Sequence, residues 1–568
     1  MLKNGKWLLV LLVLVGAVAV LAACGAPAEK VAAPGEGSPL ALPTKTPLPA
    51  DVKPILGGYV RSYFTTDITV WDPLSSTAAE HVGWNRVCAP LLQLNYGPGY
   101  DPRNFDMSKD SVAQSWEISA DGLTYTFHIR PGIFWDERAP LNGRELVAAD
   151  VKWTYETHMA TAGAPRRLHL SNAIKSIECP DKYTVVIQMK QPMADFLILL
   201  AGSYVEILPR EVRELYGDYK KPEAMMGFGA FKMKEYVVST RYVFEKNPKY
   251  YKKGLPYVDG IYSVLIPDAS TSLAAFRTEK IDLRGVSRID LASVKQTNPN
   301  AYCYESELSM SAYAMAFRTD KAPFNDANLR RAVSMAIDRK TIIDTFDYGY
   351  GTEQNGPLYV ESPWYLKDQG ECAKYYAYNP EEARRLVAEA GYPNGLSVSM
   401  AVVSTGETYL SYCDYWVDAL AKVGINATFK MYESGAYTTT VRGKRDYEGM
   451  TLLTVFSVAS WGPDILLNAI YGTGEASNVS LVSDPKLDEM MKAQSLEMDP
   501  VKRQALLNDI QRYCACQSYY VYWPIGLGVT CLQPWLRDYY PHVAASSLAG
   551  RIVEHMWLTE DAPGRKMK

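Results

Sequence analysis

The stretch SWEISADGLTYTFHIRPGIFWDERAPLNGRELVAADVKWTYE, residues 115–156, carries the strongest fold signal in the chain. Apolar side chains recur at every second position around Ala120-Asp121-Gly122, at 116, 118, 123, 125, 127 and 129. Because alternation of period two indicates strands and Asp-Gly favours a tight turn, the pattern predicts a β-hairpin. Asn142-Gly143 predicts another turn, and a helix is predicted to begin near Ala149. The stretch is therefore predicted to be a packed α+β segment.

The length and composition of the chain limit the classes of protein that it can be. Its 568 residues exceed what one hydrophobic core organises, so two or three domains or lobes are expected. Hydrophobic residues make up 48% and charged residues 21%, as in an ordinary globular protein. The formal net charge of -4 gives no reason to expect a nucleic-acid partner. The 40 tyrosines and 12 tryptophans suit packed strands, and they also suit a surface that binds small organic ligands.

The first 55 residues have the pattern of an export signal followed by a tether. Two early lysines precede the apolar run Trp7–Val20, which is shorter than the roughly 20 residues of a membrane-spanning helix. Residues 1–23 are therefore predicted to be a secretory signal peptide. Leu-Ala-Ala-Cys at 21–24 matches the bacterial lipobox and predicts lipidation at Cys24, while a plain signal peptide with an incidental cysteine is the alternative. Residues 24–55, rich in Ala, Pro and Gly, are predicted to be a flexible tether.

The reactive residue types are not arranged as in a catalytic or metal site. Eight cysteines follow Cys24, and structural disulfides or buried thiols are the favoured interpretations. The six histidines lack the spacing of a metalloprotease helix, and no Gly-x-Ser-x-Gly or Walker motif occurs. We therefore expect no enzyme activity, no cofactor and no metal. A secreted hydrolase on an unrelated fold is the less favoured alternative.

Five further motifs follow one another along the chain: Trp71-Asp72-Pro73, Gly227–Lys232 (GFGAFK), Asn247–Tyr251 (NPKYY), Phe276–Asp282 (FRTEKID) and Arg331–Arg339 (RAVSMAIDR). Together with the stretch at 115–156, they resemble the family 5 extracellular solute-binding proteins, the peptide and nickel receptors of bacterial ABC importers. Ala230 stands where that family has a proline. The resemblance extends from about residue 57 to about residue 540.

The resemblance implies an α/β, two-lobed periplasmic-binding-protein-like fold whose enlarged first lobe is discontinuous. Lobe I is expected at 56–310 and 517–568, and lobe II at 311–516. Two crossings of the chain, near 307–313 and 517–523, would form the hinge. Such lobes close on a ligand by rotating about a few hinge residues.

The resemblance also implies a function. It predicts an extracytoplasmic receptor that captures a peptide between its lobes and delivers it to the permease of an ABC importer. With Cys24 lipidated, the receptor would be anchored to the outer face of the cell membrane, and it is expected to be a monomer. An oligosaccharide cargo, favoured by the many aromatic rings, or a metal chelate is the alternative.

The main candidate for ligand recognition is the segment 456–464, FSVASWGPD. In peptide-binding members of the family, a Trp-x-x-Asp segment lies in the cleft, where the Asp pairs with the peptide's α-ammonium group and the Trp packs beside it. Trp461 and Asp464 keep that spacing, and Ser460 precedes them. Alternatively, Asp464 matches a later and more structural Asp of the family, or it caps a helix. Nickel-type members also carry Trp-Gly here, so the motif does not decide the cargo.

Six other aromatic residues are candidates from their positions in the resemblance. For each of them, core packing is the alternative role. They are Tyr63, Phe64, Trp135, Tyr313, Trp364 and Trp523.

Overall fold

The computed structural model describes residues 53–68, 71–75, 81–306, 312–404, 407–455, 462–542 and 550–567. Its strands fall into two groups, one formed mainly by the first half of the chain and one by the second half. The chain crosses between the groups twice, between residues 306 and 312 and between residues 526 and 528.

The first half of the chain alternates strands with short helices. Its strands are β1 (Tyr59–Phe64), β2 (Ala113–Ile118), β3 (Thr124–Ile129), β4 (Ile174–Asp181), β5 (Thr184–Met189), β6 (Phe231–Val237), β7 (Arg241–Lys246), β8 (Gly260–Leu265), β9 (Leu283–Val286) and β10 (Tyr302–Ser306). Its α-helices are α1 (His81–Val87), α2 (Ala148–Ala160), α3 (Arg167–Ala173), α4 (Phe196–Ala201), α5 (Arg210–Tyr216), α6 (Ala269–Arg277) and α7 (Arg288–Thr297), and a 3₁₀-helix spans Pro222–Ala224. One sheet has the order β1-β8-β7-β6 and another the order β2-β3-β5-β4.

The second half begins with longer helices around one sheet. Its strands are β11 (Ala312–Phe317), β12 (Gly351–Thr352), β13 (Leu396–Val403), β14 (Ile425–Tyr432), β15 (Met450–Val455) and β16 (Tyr520–Tyr522). Its α-helices are α8 (Ala327–Ala336), α9 (Arg339–Phe346), α10 (Pro380–Glu389), α11 (Glu407–Ala421), α12 (Ser434–Ala436), α13 (Pro463–Tyr471), α14 (Pro485–Leu496) and α15 (Pro500–Gln517). A 3₁₀-helix spans Gly370–Tyr376, and a π-helix, Tyr437–Gly443, continues α12. Five strands form a sheet of order β14-β13-β15-β11-β16.

The C-terminal segment returns to the first group of sheets. It follows β17 (Ile525–Gly526), which still pairs antiparallel with β12 of the second half. The returning segment contains β18 (Gly528–Leu532), β19 (Leu536–Arg537), β20 (Trp557–Leu558) and the 3₁₀-helices Ile552–His555 and Pro563–Lys566. β18 lies between β10 and β9, antiparallel to both. The expected two-lobed α/β fold with a discontinuous first lobe is therefore present.

The end of lobe II differs from the sequence prediction. β16 pairs antiparallel with β11, with Ala314 opposite Tyr522 and Ala316 opposite Tyr520. The sheet of lobe II therefore continues to residue 522, whereas the sequence prediction ended this lobe at 516. The difference arises because α15 ends at Gln517 and the chain then adds β16 and the short strand Ile525–Gly526, which pairs with β12, before it leaves the lobe.

Strand β11 shows why this sheet lies inside lobe II. Met315 and Phe317 pack into the apolar cluster on one face of the sheet, while Ala314 and Ala316 pack into the cluster on the other. Alternate side chains of a strand point to opposite faces, so a strand that is apolar at successive positions is suited to burial on both sides.

The hairpin that was predicted from residues 115–156 is confirmed. β2 and β3 pair antiparallel, with Trp116 opposite Phe127. At the turn, the side chain of Asp121 accepts the backbone N–H of Leu123 at 3.0 Å, and Gly122 has a φ of +68°. Ile118 is 39% exposed, because β2 is the edge strand of its sheet.

The cysteines form both disulfides and buried thiols. Cys303–Cys531 joins β10 to β18, and Cys372–Cys516 joins the 3₁₀-helix Gly370–Tyr376 to α15. Cys88, Cys413 and Cys514 are free and buried, and Cys179 is free and half-buried. One disulfide therefore fastens the returning segment to lobe I, and the other lies within lobe II.

Candidate ligand-binding site

Lobe I contains a pocket of about 330 Å³ between β1, α1, β7, β9 and β18. Because β18 follows the second crossing of the chain, the pocket lies beside the hinge. We call it the lobe I pocket. The residues that line it are Ser62, Tyr63, Phe64, Thr66, Ile68, Gly83, Arg86, Tyr242, Phe244, Leu283, Arg284, Gly285, Thr530 and Tyr539.

Asp282 holds the strands around this pocket in place. Its carboxylate is fully buried and accepts the backbone N–H of Arg61 at 2.6 Å and the indole N–H of Trp535 at 2.8 Å. The Arg61 guanidinium forms an ion pair with it at 2.5 Å. Charge-assisted hydrogen bonds of this kind are among the stronger ones in proteins. The last residue of the FRTEKID motif therefore fastens β1 next to β9.

Three aromatic rings from β1 and β7 form one wall of the lobe I pocket. Phe64 stacks on Tyr242 with ring centroids 4.5 Å apart, and Tyr242 meets Phe244 edge to face at 5.6 Å. Stacked and edge-to-face arrangements are the preferred geometries of aromatic pairs. The predicted site residues Tyr63 and Phe64 thus line a pocket, and their contact with a ligand stays a prediction.

Arg86 is a nearly buried arginine of this pocket that packs against aromatic rings. It lies on the last turn of α1 and is 7% exposed. Its guanidinium carbon lies 4.9 Å from the Phe244 ring centroid and 5.6 Å from that of Tyr242. Neither Nε nor Nη1 has a hydrogen-bond partner among the described residues. The rings offset part of the cost of this buried charge through cation–π attraction.

Lobe II presents an aromatic cluster where the two crossings meet its sheet. The backbone N–H of Trp523 donates to the carbonyl oxygen of Tyr313 at 2.8 Å, so two of the predicted residues are brought together. The Tyr412 ring lies 4.7 Å from Trp523 and 5.5 Å from Tyr313. Tyr313 and Tyr412 are half-buried, but Trp523 is only 2% exposed. This burial favours the alternative role of Trp523 in core packing, and its contact with a ligand stays a prediction.

Asp347, at the end of α9, is a carboxylate beside this cluster. Its Oδ2 is buried and has no hydrogen-bond partner among the described residues. Burial raises the pKa of Asp347 to about 7, against the opposing effect of Arg288 in lobe I. Burial and the nearby Asp347 also raise the pKa of Tyr412 to about 12.

Asp464, the predicted ammonium anchor, is the second residue of α13 and is 6% exposed. Its Oδ1 accepts hydrogen bonds from Asn468 Nδ2 at 2.8 Å and from Gln494 Nε2 at 3.0 Å. Burial and the neighbouring Asp195 raise the pKa of Asp464 to about 6. Since protein groups already occupy this carboxylate, the geometry favours the structural interpretation. Trp461 and Ser460 lie outside the described residues.

Asp464 belongs to a buried cluster that joins the two lobes. Arg503 Nη1 of lobe II lies 2.6 Å from Asp195 Oδ1 of lobe I. The other guanidinium nitrogens of Arg503 donate to Gln494 Oε1 at 3.2 and 3.0 Å. The backbone N–H of Asp464 donates to Asp195 Oδ2 at 2.8 Å. We call Asp195, Asp464, Gln494 and Arg503 the inter-lobe cluster.

The structure places the last two predicted aromatic residues away from the lobe I pocket. Trp135 is 1% exposed, and its ring packs edge to face on Phe228 at 5.0 Å. This packing favours the alternative role of Trp135 in the core, and its contact with a ligand stays a prediction. Trp364 is half-buried and packs against Phe105 of lobe I, with ring centroids 4.8 Å apart. It therefore contributes to the contact between lobes.

Sequence reasoning missed Arg86, Tyr242 and Phe244. The only signal for Arg86 is its position directly before the apolar run 87–92. β7 has the consecutive apolar residues Tyr242-Val243-Phe244 of an ordinary buried strand, so its two rings carry no signal of their own.

Among the residues that the structure describes, no group of three or more His, Cys, Asp or Glu is arranged to hold a metal ion. In the same ranges, no helix combines the length and the apolar character that crossing a membrane requires.

The fold and the position of the lobe I pocket define a two-lobed solute-binding protein. The profile described as "Bacterial extracellular solute-binding proteins, family 5 Middle" matches residues 109–478. The chain belongs to this family, whose members serve ABC importers.

Named relatives of the chain are binding proteins. It is 28% identical over 456 residues to heme-binding protein A of Haemophilus influenzae, covering 76% of this chain and 81% of the relative. It is 27% identical over 410 residues to the glutathione-binding protein GsiB of Escherichia coli O1:K1 / APEC, covering 71% and 78%. Its fold is similar to that of DppA from Helicobacter pylori in complex with the peptide STSA, with a TM-score of 0.74 and 24% identity, covering 89% of this chain and 98% of DppA.

Proposed function

We propose that this protein captures a peptide between its two lobes and delivers it to the permease of an ABC importer. The observation that carries the proposal is that both surfaces include residues next to the crossings: Thr530 in the lobe I pocket, and Tyr313 and Trp523 in the lobe II aromatic cluster. The likeness of the fold to a peptide complex of DppA supports the same cargo.

The chemistry of the two surfaces suits a peptide. An extended peptide is held mainly by main-chain hydrogen bonds, while pockets receive alternate side chains. Phe64 and Tyr242 offer a stacked apolar wall, and the half-buried Tyr313 and Tyr412 offer rings with polar ends. Amphipathic rings of this kind bind varied side chains, and ordered water can fill the remaining space.

The proposal includes the location of the receptor. Residues 1–23 would direct export, Cys24 would carry the lipid anchor, and residues 24–55 would connect the anchor to lobe I. A monomer at the extracytoplasmic face of the membrane would then meet the permease. Fractionation of cells that express Cys24→Ser tests the anchor, and retention of that variant in the membrane would contradict it.

Native mass spectrometry of the gently purified protein, followed by calorimetry with the tetrapeptide Ser-Thr-Ser-Ala and with maltotriose, tests the cargo. We expect a retained peptide, and we expect Tyr242→Ala to weaken peptide binding by about tenfold or more, because interface rings supply much of the binding energy. Tyr378→Ala, at a tyrosine that is 45% exposed in lobe II, is the matched control and should bind normally. A retained saccharide, with no peptide binding, would replace the peptide by the oligosaccharide alternative.

A further inference from the structure

We propose that the lobe I pocket is an anion subsite, in which Arg86 binds a carboxylate group of the ligand and the rings of Phe64, Tyr242 and Phe244 hold the apolar or aromatic group next to that carboxylate. This inference rests on the proposed function as a receptor and specifies the chemical class of its ligand.

The first argument is the unpaired charge. A guanidinium cannot lose its proton at physiological pH, so Arg86 is a cation wherever it lies. A buried cation without a counter-ion is costly, and proteins normally pair such groups. Arg86 is 7% exposed, and its Nε and Nη1 donate to no described residue. An incoming anion would supply the missing partner.

The second argument is the contrast with Arg284, which lines the same pocket. Its Nε donates to Ser272 Oγ at 3.1 Å, Nη1 to the carbonyl oxygen of Gly285 at 2.9 Å, and Nη2 to that of Ala269 at 2.8 Å. All three nitrogens of Arg284 are therefore used to hold the protein together. Arg86 is the arginine of this pocket that has two donors, Nε and Nη1, without a hydrogen-bond partner among the described residues.

The third argument is the shape and chemistry around the charge. The planar guanidinium donates hydrogen bonds in a geometry that matches a carboxylate. The aromatic wall lies within 5.6 Å of the guanidinium carbon. A volume of about 330 Å³ is at the lower end of the range for small-molecule sites, so it suits one terminal group better than a whole ligand. For a peptide, that group could be the C-terminal residue or an acidic side chain with its neighbour.

The test compares two pairs of probes that differ only in charge. Benzoate and benzamide are nearly equal in size, and so are Ser-Thr-Ser-Ala and its C-terminal amide. Binding of all four is measured by ligand-observed NMR and calorimetry on wild type, Arg86→Gln and Arg86→Lys. Arg277→Gln, which removes an exposed positive charge from α6, is the matched control.

We expect wild type to bind benzoate more tightly than benzamide by about tenfold or more, the typical effect of a hydrogen bond to a charged group. Arg86→Gln should remove this preference, Arg86→Lys should keep part of it, and Arg277→Gln should keep all of it. A free-acid peptide that binds better than its amide assigns the subsite to the C-terminus. Equal binding of the two peptides, together with tighter binding of a glutamate-containing amide, assigns it to a side chain.

Equal binding of benzoate and benzamide by wild type, or a benzoate preference that survives in Arg86→Gln, would overturn the anion subsite. Failure of every peptide to bind would instead overturn the peptide cargo, and the benzoate pair would still decide the role of Arg86. The two proposals can therefore fail separately.

Discussion

Arg86 and Arg503 are both 7% exposed, yet their surroundings differ completely. Arg503 forms an ion pair with Asp195 and donates to Gln494, so its charge is compensated within the protein. Arg86 lies against two rings, and two of its donors are unused by the described residues. Equal burial thus accompanies two roles. Arg503 joins the lobes, and Arg86, with no ion pair to a described residue, is the arginine that we propose binds a ligand anion.

The inter-lobe cluster and the lobe I pocket also have opposite effects on the stability of the ligand-free protein. In the inter-lobe cluster, removal of one partner leaves a buried charge behind, which makes the cluster necessary for stability. In the lobe I pocket, removal of Arg86 removes a buried charge that has no ion-pair partner among the described residues. Substitutions at the two positions should therefore differ in sign as well as in size.

The largest effect is expected for Arg503→Met. It leaves the fully buried Asp195 without its counter-ion, and loss of one partner of a buried pair typically costs about 3–5 kcal/mol. Chemical unfolding at neutral pH measures the loss. The double variant Asp195→Leu/Arg503→Met is the control and should recover much of it, because no charge remains buried. A loss of unfolding free energy below about 1 kcal/mol, the value typical of an exposed ion pair, would show that Arg503 does not differ from Arg86 in its effect on stability.

An intermediate effect is expected for Asp464→Asn, and it should depend on pH. The folded-state pKa of Asp464 is raised from 3.8 to about 6 by burial and by Asp195. Between these values the folded state binds more protons than the unfolded state, so stability falls as the pH rises from about 4 to about 6 and stays lower above that range.

Asp464→Asn should therefore be more stable than wild type at pH 8, by up to about 1.4 kcal/mol for each unit of the pKa difference. Hydrogen bonds that a carboxylate accepts better than an amide does should reduce this gain in stability. At pH 4 the gain should vanish. Thermal unfolding of both proteins across this range measures it. A gain that is equal at pH 4 and pH 8 would show that Asp464 does not titrate in the inter-lobe cluster.

The smallest effect is expected for Arg86→Met. The substitution keeps most of the side chain's length and removes a buried charge without a described partner, so the ligand-free stability should change by less than about 1 kcal/mol or increase. Unfolding measured beside Arg503→Met gives a direct comparison. If Arg86→Met lost as much stability as Arg503→Met, Arg86 would be a structural arginine and the two arginines would have the same role.

Much of the fold could be predicted from the sequence because its signals are local. The hairpin over β2 and β3 follows from alternation and one Asp-Gly turn, both of which act within a few residues. The two-lobed architecture followed from the order of several motifs. The end of lobe II was misplaced because β16 has three residues, and only its pairing with β11 assigns it to that lobe.

The candidate site was only partly predictable. Tyr63 and Phe64 follow from their position at the end of β1, and Tyr313 and Trp523 do contact each other near the crossings. Trp135 and Asp464 were harder, because the same residue types serve the core, a helix start or a ligand. Their roles depend on neighbours such as Phe228 and Gln494, which lie far away in sequence.

By itself, the sequence determined the hairpin, through periodicity and turn chemistry. The order of its motifs resembles a known family, and that resemblance implied the family and the two-lobed class. Only the tertiary structure decided which buried charges are paired. Arg503 meets Asp195 from the other lobe, whereas Arg86 meets the rings of β7. The energy of a buried charge depends on the groups within a few ångströms of it, and those groups are brought together by the fold.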